Sequence, residues 1–292
     1  MRIVLFGYGE MGCTGLEFLL REKEDVAAVI THRDDPHEKR WYRSLAEVAG
    51  KAGMTVLYGE EVDLEKEMDR LRPEMILSFY YRNMIPVSVL KKAPRGALNL
   101  HGSLLPRLRG RAPINWALVE GEEQTGVTLH HMVKAPDAGD IVGQRGWKIG
   151  PRDTAKDLFF RAIEEAKILL RDRWPGIREG TAPRTPQDPL KATYRGRRRP
   201  EDGKIDWTQP TRRIDGLVRA VTDPFPGAFT FLKGKKLMVW AGSPAAGRGT
   251  PGVAIEDAVV ATGDGAYRIE RCELAEDGSS KPIIPKGTRL GE

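Results

Sequence analysis

Residues 2–12 read Arg2-Ile3-Val4-Leu5-Phe6-Gly7-Tyr8-Gly9-Glu10-Met11-Gly12. A short apolar run closed by glycine is the pattern of a parallel strand buried on both faces. The glycines follow as G-x-G-x-x-G, and Met11 to Lys23 then carries Leu16, Leu19 and Leu20 on one helical face. Strand, glycine turn and helix open a βαβ unit, and the pattern repeats outward. Val26 to Thr31 is a second strand, Ser44 to Ala52 a helix and Thr55 to Leu57 a third strand. Leu64 to Leu71 is a helix ended near Pro73; Met75 to Phe79 and Gly96 to Leu100 are a fourth and a fifth strand. The expected class is α/β, a Rossmann-like doubly wound parallel sheet, with its ligand crevice at the carboxyl ends of the strands.

A different texture follows. Ala155 to Arg173 is an amphipathic helix, after which Pro175, Pro183, Pro186, Pro189, Pro200 and Pro210 punctuate the chain around the basic run Arg195 to Arg199. This is the composition of a crossing between domains. Beyond a short helix, Ile214 to Val221, come glycine-broken strands: Ala228 to Leu232, Lys236 to Trp240, Val253 to Ile255, Ala258 to Thr262 and Ala266 to Glu270. Short, closely spaced strands suggest a small β-barrel-like domain.

Composition narrows the class. The 292 residues hold 47 Lys and Arg against 41 Asp and Glu, a net charge of +6 that mildly favours anionic partners without being a nucleic-acid signature. Cys13 and Cys272 form no CxxC pair or Cys/His cluster, so neither a zinc site nor a disulfide framework is expected, and two unpaired thiols fit a reducing cytosol. No signal-peptide core and no run of about 20 apolar residues is present, so a soluble, cytoplasmic protein without membrane insertion is expected. Oligomeric state stays open.

Three patterns carry chemistry. The glycine motif would admit a dinucleotide, but that reading asks for a carboxylate about 20 residues on, at the end of the second strand. There the chain reads Thr31-His32-Arg33, with Asp34 and Asp35 beyond. Arg33 could answer an NADP phosphate, which keeps an NAD(P)-dependent oxidoreductase as a remote alternative. A tight glycine turn at the mouth of the crevice is the preferred reading. Second, Asn99-Leu100-His101 puts a carboxamide and an imidazole on one face of a strand end, because strand side chains alternate. A carboxamide can donate to a developing oxyanion, and an imidazole can move a proton near neutrality. Ser103 as a nucleophile lacks the G-x-S-x-G elbow. Third, the strand Val127 to Met132 leads into Val133-Lys134-Ala135-Pro136-Asp137-Ala138-Gly139-Asp140. A carboxylate from this loop beside His101 would raise the imidazole pKa; a plain turn aspartate is the bland alternative.

Taken together, Asn99, His101, Ser103-Leu104-Leu105-Pro106 and Asp137 to Asp140 resemble, in order and spacing, the folate-dependent formyltransferases. The resemblance spans essentially the whole chain and implies a catalytic domain over 1–190, a linker over 191–207 and an OB-like domain over 208–292. It implies N10-formyltetrahydrofolate as co-substrate, a primary amine as acceptor and no metal. Asn99 would position the formyl group and hold the oxyanion, His101 would move the proton, and Asp137 would orient His101. By family position Asn83, Met84, Ile85 and Val133, Lys134, Ala135, Pro136 and Asp137 would line the folate pocket. Arg111, Ser103 and Tyr80 would serve the acceptor, with Tyr80-Tyr81 and Arg195 to Arg199 able to add stacking and phosphate contacts. For the arginine run, a solvated linker is the preferred reading.

Within the family, the segments from Thr31 to Arg40, Ser78 to Arg82 and Arg109 to Trp116 resemble the branch acting on UDP-4-amino-4-deoxy-L-arabinose, the formyltransferase domain of a bifunctional polymyxin-resistance protein. That protein has a further dehydrogenase half, whereas this chain ends at Glu292. The expectation is therefore that a separate protein supplies that step or that the amino sugar differs. The expected partners are small molecules, a folate and a nucleotide-linked amino sugar; methionyl-tRNA formyltransferase, with tRNA as partner, is the alternative.

Overall fold

The structure, a computed structural model, describes residues 1–34, 40–276 and 282–291. Asp35 therefore lies outside the described residues, as does the rest of 35–39. Two compact units emerge. The first comprises Met1–Gly110, Gly126–Trp147 and Phe160–Arg195; the second comprises Arg111–Thr125, Lys148–Phe159 and Gly196–Glu292.

The chain opens β1 (Arg2–Gly7), α1 (Gly9–Arg21), β2 (Asp25–Thr31), α2 (Leu45–Lys51), β3 (Val56–Tyr58), α3 (Leu64–Leu71), β4 (Met75–Phe79), α4 (Val87–Leu90) and β5 (Ala97–His101). It continues through β6 (Arg109–Gly110), α5 (Pro113–Val119), β7 (Gln124–His131), β8 (Ile141–Lys148), α6 (Ala155–Glu179) and β9 (Tyr194–Arg195). Among the described residues the large sheet has the order β3-β2-β1-β4-β5-β7-β8. The first five strands are parallel, as the βαβ pattern predicts. β7, however, pairs antiparallel with β5, so the sheet is mixed. The reason is local: β7 is reached through a loop and the seven-residue α5 rather than by a full crossover helix.

Both faces of β1, β2 and β4 are covered, which is why they read as apolar runs. One face holds Val4, Phe6, Ala28, Ile30, Ile76 and Ala97 against Met68 and Leu71 of α3 and Val89 and Leu90 of α4. Registration then carries a row across the strands, from Phe6 to Ser78, Asn99 and His130. The apolar face thus turns polar at its carboxyl edge, on β4, β5 and β7. The glycine motif serves packing: a Cβ on Gly12 would lie 2.7 Å from Leu45 and 3.2 Å from the Gly7 carbonyl carbon, and one on Gly7 would meet the same leucine. α1 starts inside the motif, two residues earlier than its leucine spacing suggests. α6 also runs past the expected stop and through Pro175, held on both sides by Trp174 and Ile177, which are 2% and 4% exposed.

In the second unit, α7 (Thr211–Val221) accompanies an antiparallel sheet of β10 (Ala228–Leu232), β11 (Lys235–Ala245), β12 (Ala254–Glu256), β13 (Val259–Ala261) and β14 (Ala266–Leu274). The sheet order is β10-β11-β14-β13-β12. Asn115 of α5 donates to the Ala220 carbonyl at 2.7 Å, and a Cβ on Gly216 would fall 2.2 Å from the Leu118 carbonyl oxygen, so α5 and α7 pack backbone to backbone. Among the described residues, no helix is long and apolar enough to cross a membrane, and no group of three or more His, Cys, Asp or Glu could hold a metal ion.

Candidate active site at the carboxyl edge of the sheet

Asn99 and His101 lie two residues apart on β5 and project to one face at the strand's end. Directly across, antiparallel pairing sets His130 opposite Asn99 and Thr128 opposite His101. The loop between β7 and β8 then folds Asp137 back over this edge. Asp137 Oδ1 lies 3.3 Å from Asn99 Nδ2, 3.6 Å from His101 Nδ1 and 3.4 Å from His130 Nε2. Its other oxygen accepts the Gly110 N–H at 2.9 Å. The Asn99 amide also donates to His130 Nε2 at 3.2 Å. Side chains from β5 and β7 thus meet around one loop carboxylate.

Burial sets the electrostatics. His101 is 5% exposed, and burial pushes its pKa below the ordinary 6.5; the Asp137 carboxylate opposes this without prevailing. The sequence reading expected the carboxylate to win and raise the imidazole, and this is corrected: a contact of 3.6 Å is too long for a hydrogen bond, while desolvation acts on the whole ring. Nε2 lies 2.8 Å from the Leu108 carbonyl, an acceptor only, so Nε2 carries the proton and Nδ1 keeps its lone pair. For Asp137 burial acts upward but is outweighed by the His101 and His130 imidazoles and the Gly110 N–H, which hold it well below the usual carboxylate range. The site at neutral pH is a neutral imidazole beside an ionised carboxylate.

The remaining expected positions separate. Met84 is 63% exposed and Asn83 is exposed with its amide on Glu60 at 3.1 Å, whereas Ile85, at 4%, is part of the apolar core. Val133 to Pro136 are all exposed, offering backbone at the rim of the Asp137 loop. Tyr80 sits half-buried at the end of β4 with φ 59°. Ser103 is 1% exposed and donates its hydroxyl to the Arg107 carbonyl at 2.7 Å, which shapes the loop after His101. Arg111 is exposed and belongs to the second unit. Within the basic run, Arg198 lies over the Trp116 ring at 4.7 Å and donates to the Asp202 carbonyl, so it is engaged inside its own unit. Arg33, the candidate for an NADP phosphate, pairs with Glu61 and lies over Tyr58. A depression of about 480 Å³ lined by Met68, Asp69, Arg72, Pro73, Glu74, Lys92 and Pro94 lies where the chain enters β4 and β5, at the opposite ends of the strands from Asn99 and His101.

Family models cover most of the chain. Residues 1–173 match the formyl transferase model, and residues 198–281 match the formyl transferase C-terminal domain. The chain belongs to the formyl transferase family. Among solved structures, the N-formyltransferase from Helicobacter canadensis, in complex with folinic acid and dTDP-3-aminofucose, is 20% identical, with a TM-score of 0.72 over 98% of this chain and 99% of that one. WlaRD, a sugar 3N-formyl transferase solved with dTDP and 5-N-formyl-THF, is 18% identical, with a TM-score of 0.70 over 98% and 97%. Methionyl-tRNA formyltransferase from Clostridium thermocellum is 17% identical, with a TM-score of 0.57 over 84% and 94%. Identities this low speak for the formyl transferase fold. His130 is the site residue that the sequence reading passed over. Its signal was the two-residue alternation in Thr128-Leu129-His130, legible once β7 is known to pair with β5.

Proposed function

We propose that the protein transfers the formyl group of N10-formyltetrahydrofolate to the primary amine of a nucleotide-linked amino sugar. The carrying observation is that Asp137 Oδ1 lies within 3.6 Å of both Asn99 Nδ2 and His101 Nδ1, at the carboxyl end of β5, in a formyl transferase. Acyl transfer to an amine needs a stabilised oxyanion and a path for the amine's proton. Asn99 supplies the first: its amide N–H, now donating to His130 or Asp137, turns to donate a hydrogen bond to the formyl oxygen as charge develops there. His101 supplies the second. Its Nδ1 lone pair takes the proton from the attacking nitrogen as the new C–N bond forms, and returns it to N10 as the old bond breaks. Asp137 steadies the imidazolium that exists between those two transfers. The exposed backbone of Val133 to Pro136 and the exposed Asn83 and Met84 suit a planar ligand held at a loop rim.

The sugar acceptor is supported by the two sugar formyltransferases above, which match over nearly the full chain. The net charge of +6 and the match to methionyl-tRNA formyltransferase favour tRNA as the second reading. The test offers the purified protein N10-formyltetrahydrofolate with UDP-4-amino-4-deoxy-L-arabinose, dTDP-linked amino sugars and methionyl-tRNA in parallel, and follows the products by mass spectrometry. A formylated nucleotide sugar supports the proposal, and its nucleotide identifies the branch. Formylation of methionyl-tRNA alone overturns it. Salt separates the two as well: with 6 to 10 phosphate contacts, a tRNA acceptor weakens by about 10³ to 10⁵ between 50 and 200 mM.

A further inference from the structure

The segment after α6 reaches back into the first unit's site. Thr185 and Ile141 exchange backbone hydrogen bonds of 2.8 and 3.0 Å, which ties this segment to the start of β8. Two residues on, Gln187 Nε2 donates to the carbonyls of Asp137 at 2.8 Å and Gly139 at 2.7 Å. Its Oε1 accepts from Arg109 Nε at 3.0 Å and Nη2 at 2.6 Å. A guanidinium has donors only, so the two-pronged contact admits oxygen alone and forces the amide's NH2 toward the Asp137 loop. Arg109 is 5% exposed, and its Nη1 donates to the Tyr194 hydroxyl at 2.7 Å. A buried cation spent on an amide oxygen and a phenol is an expensive arrangement for stability alone.

What it holds is strained. Asp137 has φ 51°, a left-handed conformation that a residue with a side chain keeps only when its surroundings enforce it. Gly110, adjacent to Arg109 on β6, donates its N–H to the Asp137 carboxylate. Arg109, Gly110 and Gln187 therefore grip both the backbone and the side chain of Asp137.

We propose that Gln187, oriented by Arg109, is a positioning residue that holds the Asp137 carboxylate against His101. The proposal rests on the formyl-transfer reading above. Two variants test it. Gln187→Glu keeps an oxygen for Arg109 but turns a second acceptor toward two carbonyls; Gln187→Ala removes the whole amide. Thermal melting checks that each is folded. In both, kcat for formyl transfer falls about 10- to 100-fold while KM for folate and acceptor stays within roughly a factor of three.

A purely structural role would leave the titration of His101 unmoved. The titratable groups facing its ring are Asp137 and His130. With the carboxylate displaced, the influence opposing burial weakens, so the His101 pKa falls further below that of the wild type. NMR of 13C-labelled histidine reads this without turnover. If the wild type formylates no acceptor, the formyl-transfer reading fails, yet a lowered His101 pKa in Gln187→Ala still supports the clamp. Folded variants with wild-type kcat and an unmoved His101 titration overturn it.

Discussion

At His101, burial to 5% exposure competes with a carboxylate 3.6 Å away, and burial prevails. The imidazole is therefore already in its basic form at neutral pH, and the acid limb of the kcat/KM profile, which reports the free enzyme, should have its midpoint below the ordinary imidazole value of 6.5. A midpoint above 6.5 would place the carboxylate in control instead. The same shift bears on stability: the unfolded chain takes up a proton at His101 that the folded one resists, so stability is full above 6.5 and declines as pH falls below it. Asp137 adds a second loss below its ordinary 3.8, because its folded form stays ionised there. Chemical denaturation at stepped pH measures both. For Asn99→Ala, removal of one donor to a developing oxyanion is expected to cost about 10² to 10³ in kcat, with the melting temperature close to wild type.

Among the elements, the pairing of β5 with β7 makes the site, and the short β6–β9 bridge closes it. Gly110 on β6 has φ +96°, and a Cβ there would lie 2.3 Å from the Arg195 carbonyl oxygen. Gly110→Ala should therefore separate β6 from β9 and destabilise the protein by roughly 1 to 3 kcal/mol, read from denaturant midpoints. An unchanged midpoint would show that the bridge carries no weight. β1, β2 and β4 were legible because each is an apolar run covered on both faces. Asn99 and His101 were legible as a pair because alternation needs one strand alone. Asp137 was legible through the resemblance. The antiparallel direction of β7 was not, since strand direction depends on the connection. Nor was β8, whose outer residues Gln144, Gly146 and Lys148 are exposed and break the apolar run. Gln187 was hidden for a different reason: a proline-spaced segment reads as a linker whatever its side chains touch. The opposite error occurred at Pro175, where proline marks no boundary because the residues around it are buried against the fold.

At the scale of the molecule, the two units interleave along the sequence: Arg111–Thr125 and Lys148–Phe159 group with the C-terminal portion. Within that unit Arg219 donates to the Asp153 carbonyl at 2.9 Å, and Arg152 donates to the Gly242 carbonyl at 3.0 Å. A chain cut after residue 195 leaves these two inserted segments without their partners, and should melt at a lower temperature than the full chain, by calorimetry. Equal melting temperatures would mean that the inserted segments need nothing from residues beyond the cut. All of this depends on His101 moving a proton for a formyl group held by Asn99. The most direct test compares initial rates of formyl transfer from N10-formyltetrahydrofolate to a nucleotide-linked amino sugar by the wild type and by His101→Ala. A fall on the order of a hundredfold or more in kcat, in a variant that melts like the wild type, is the predicted result; wild-type turnover in His101→Ala would contradict the account.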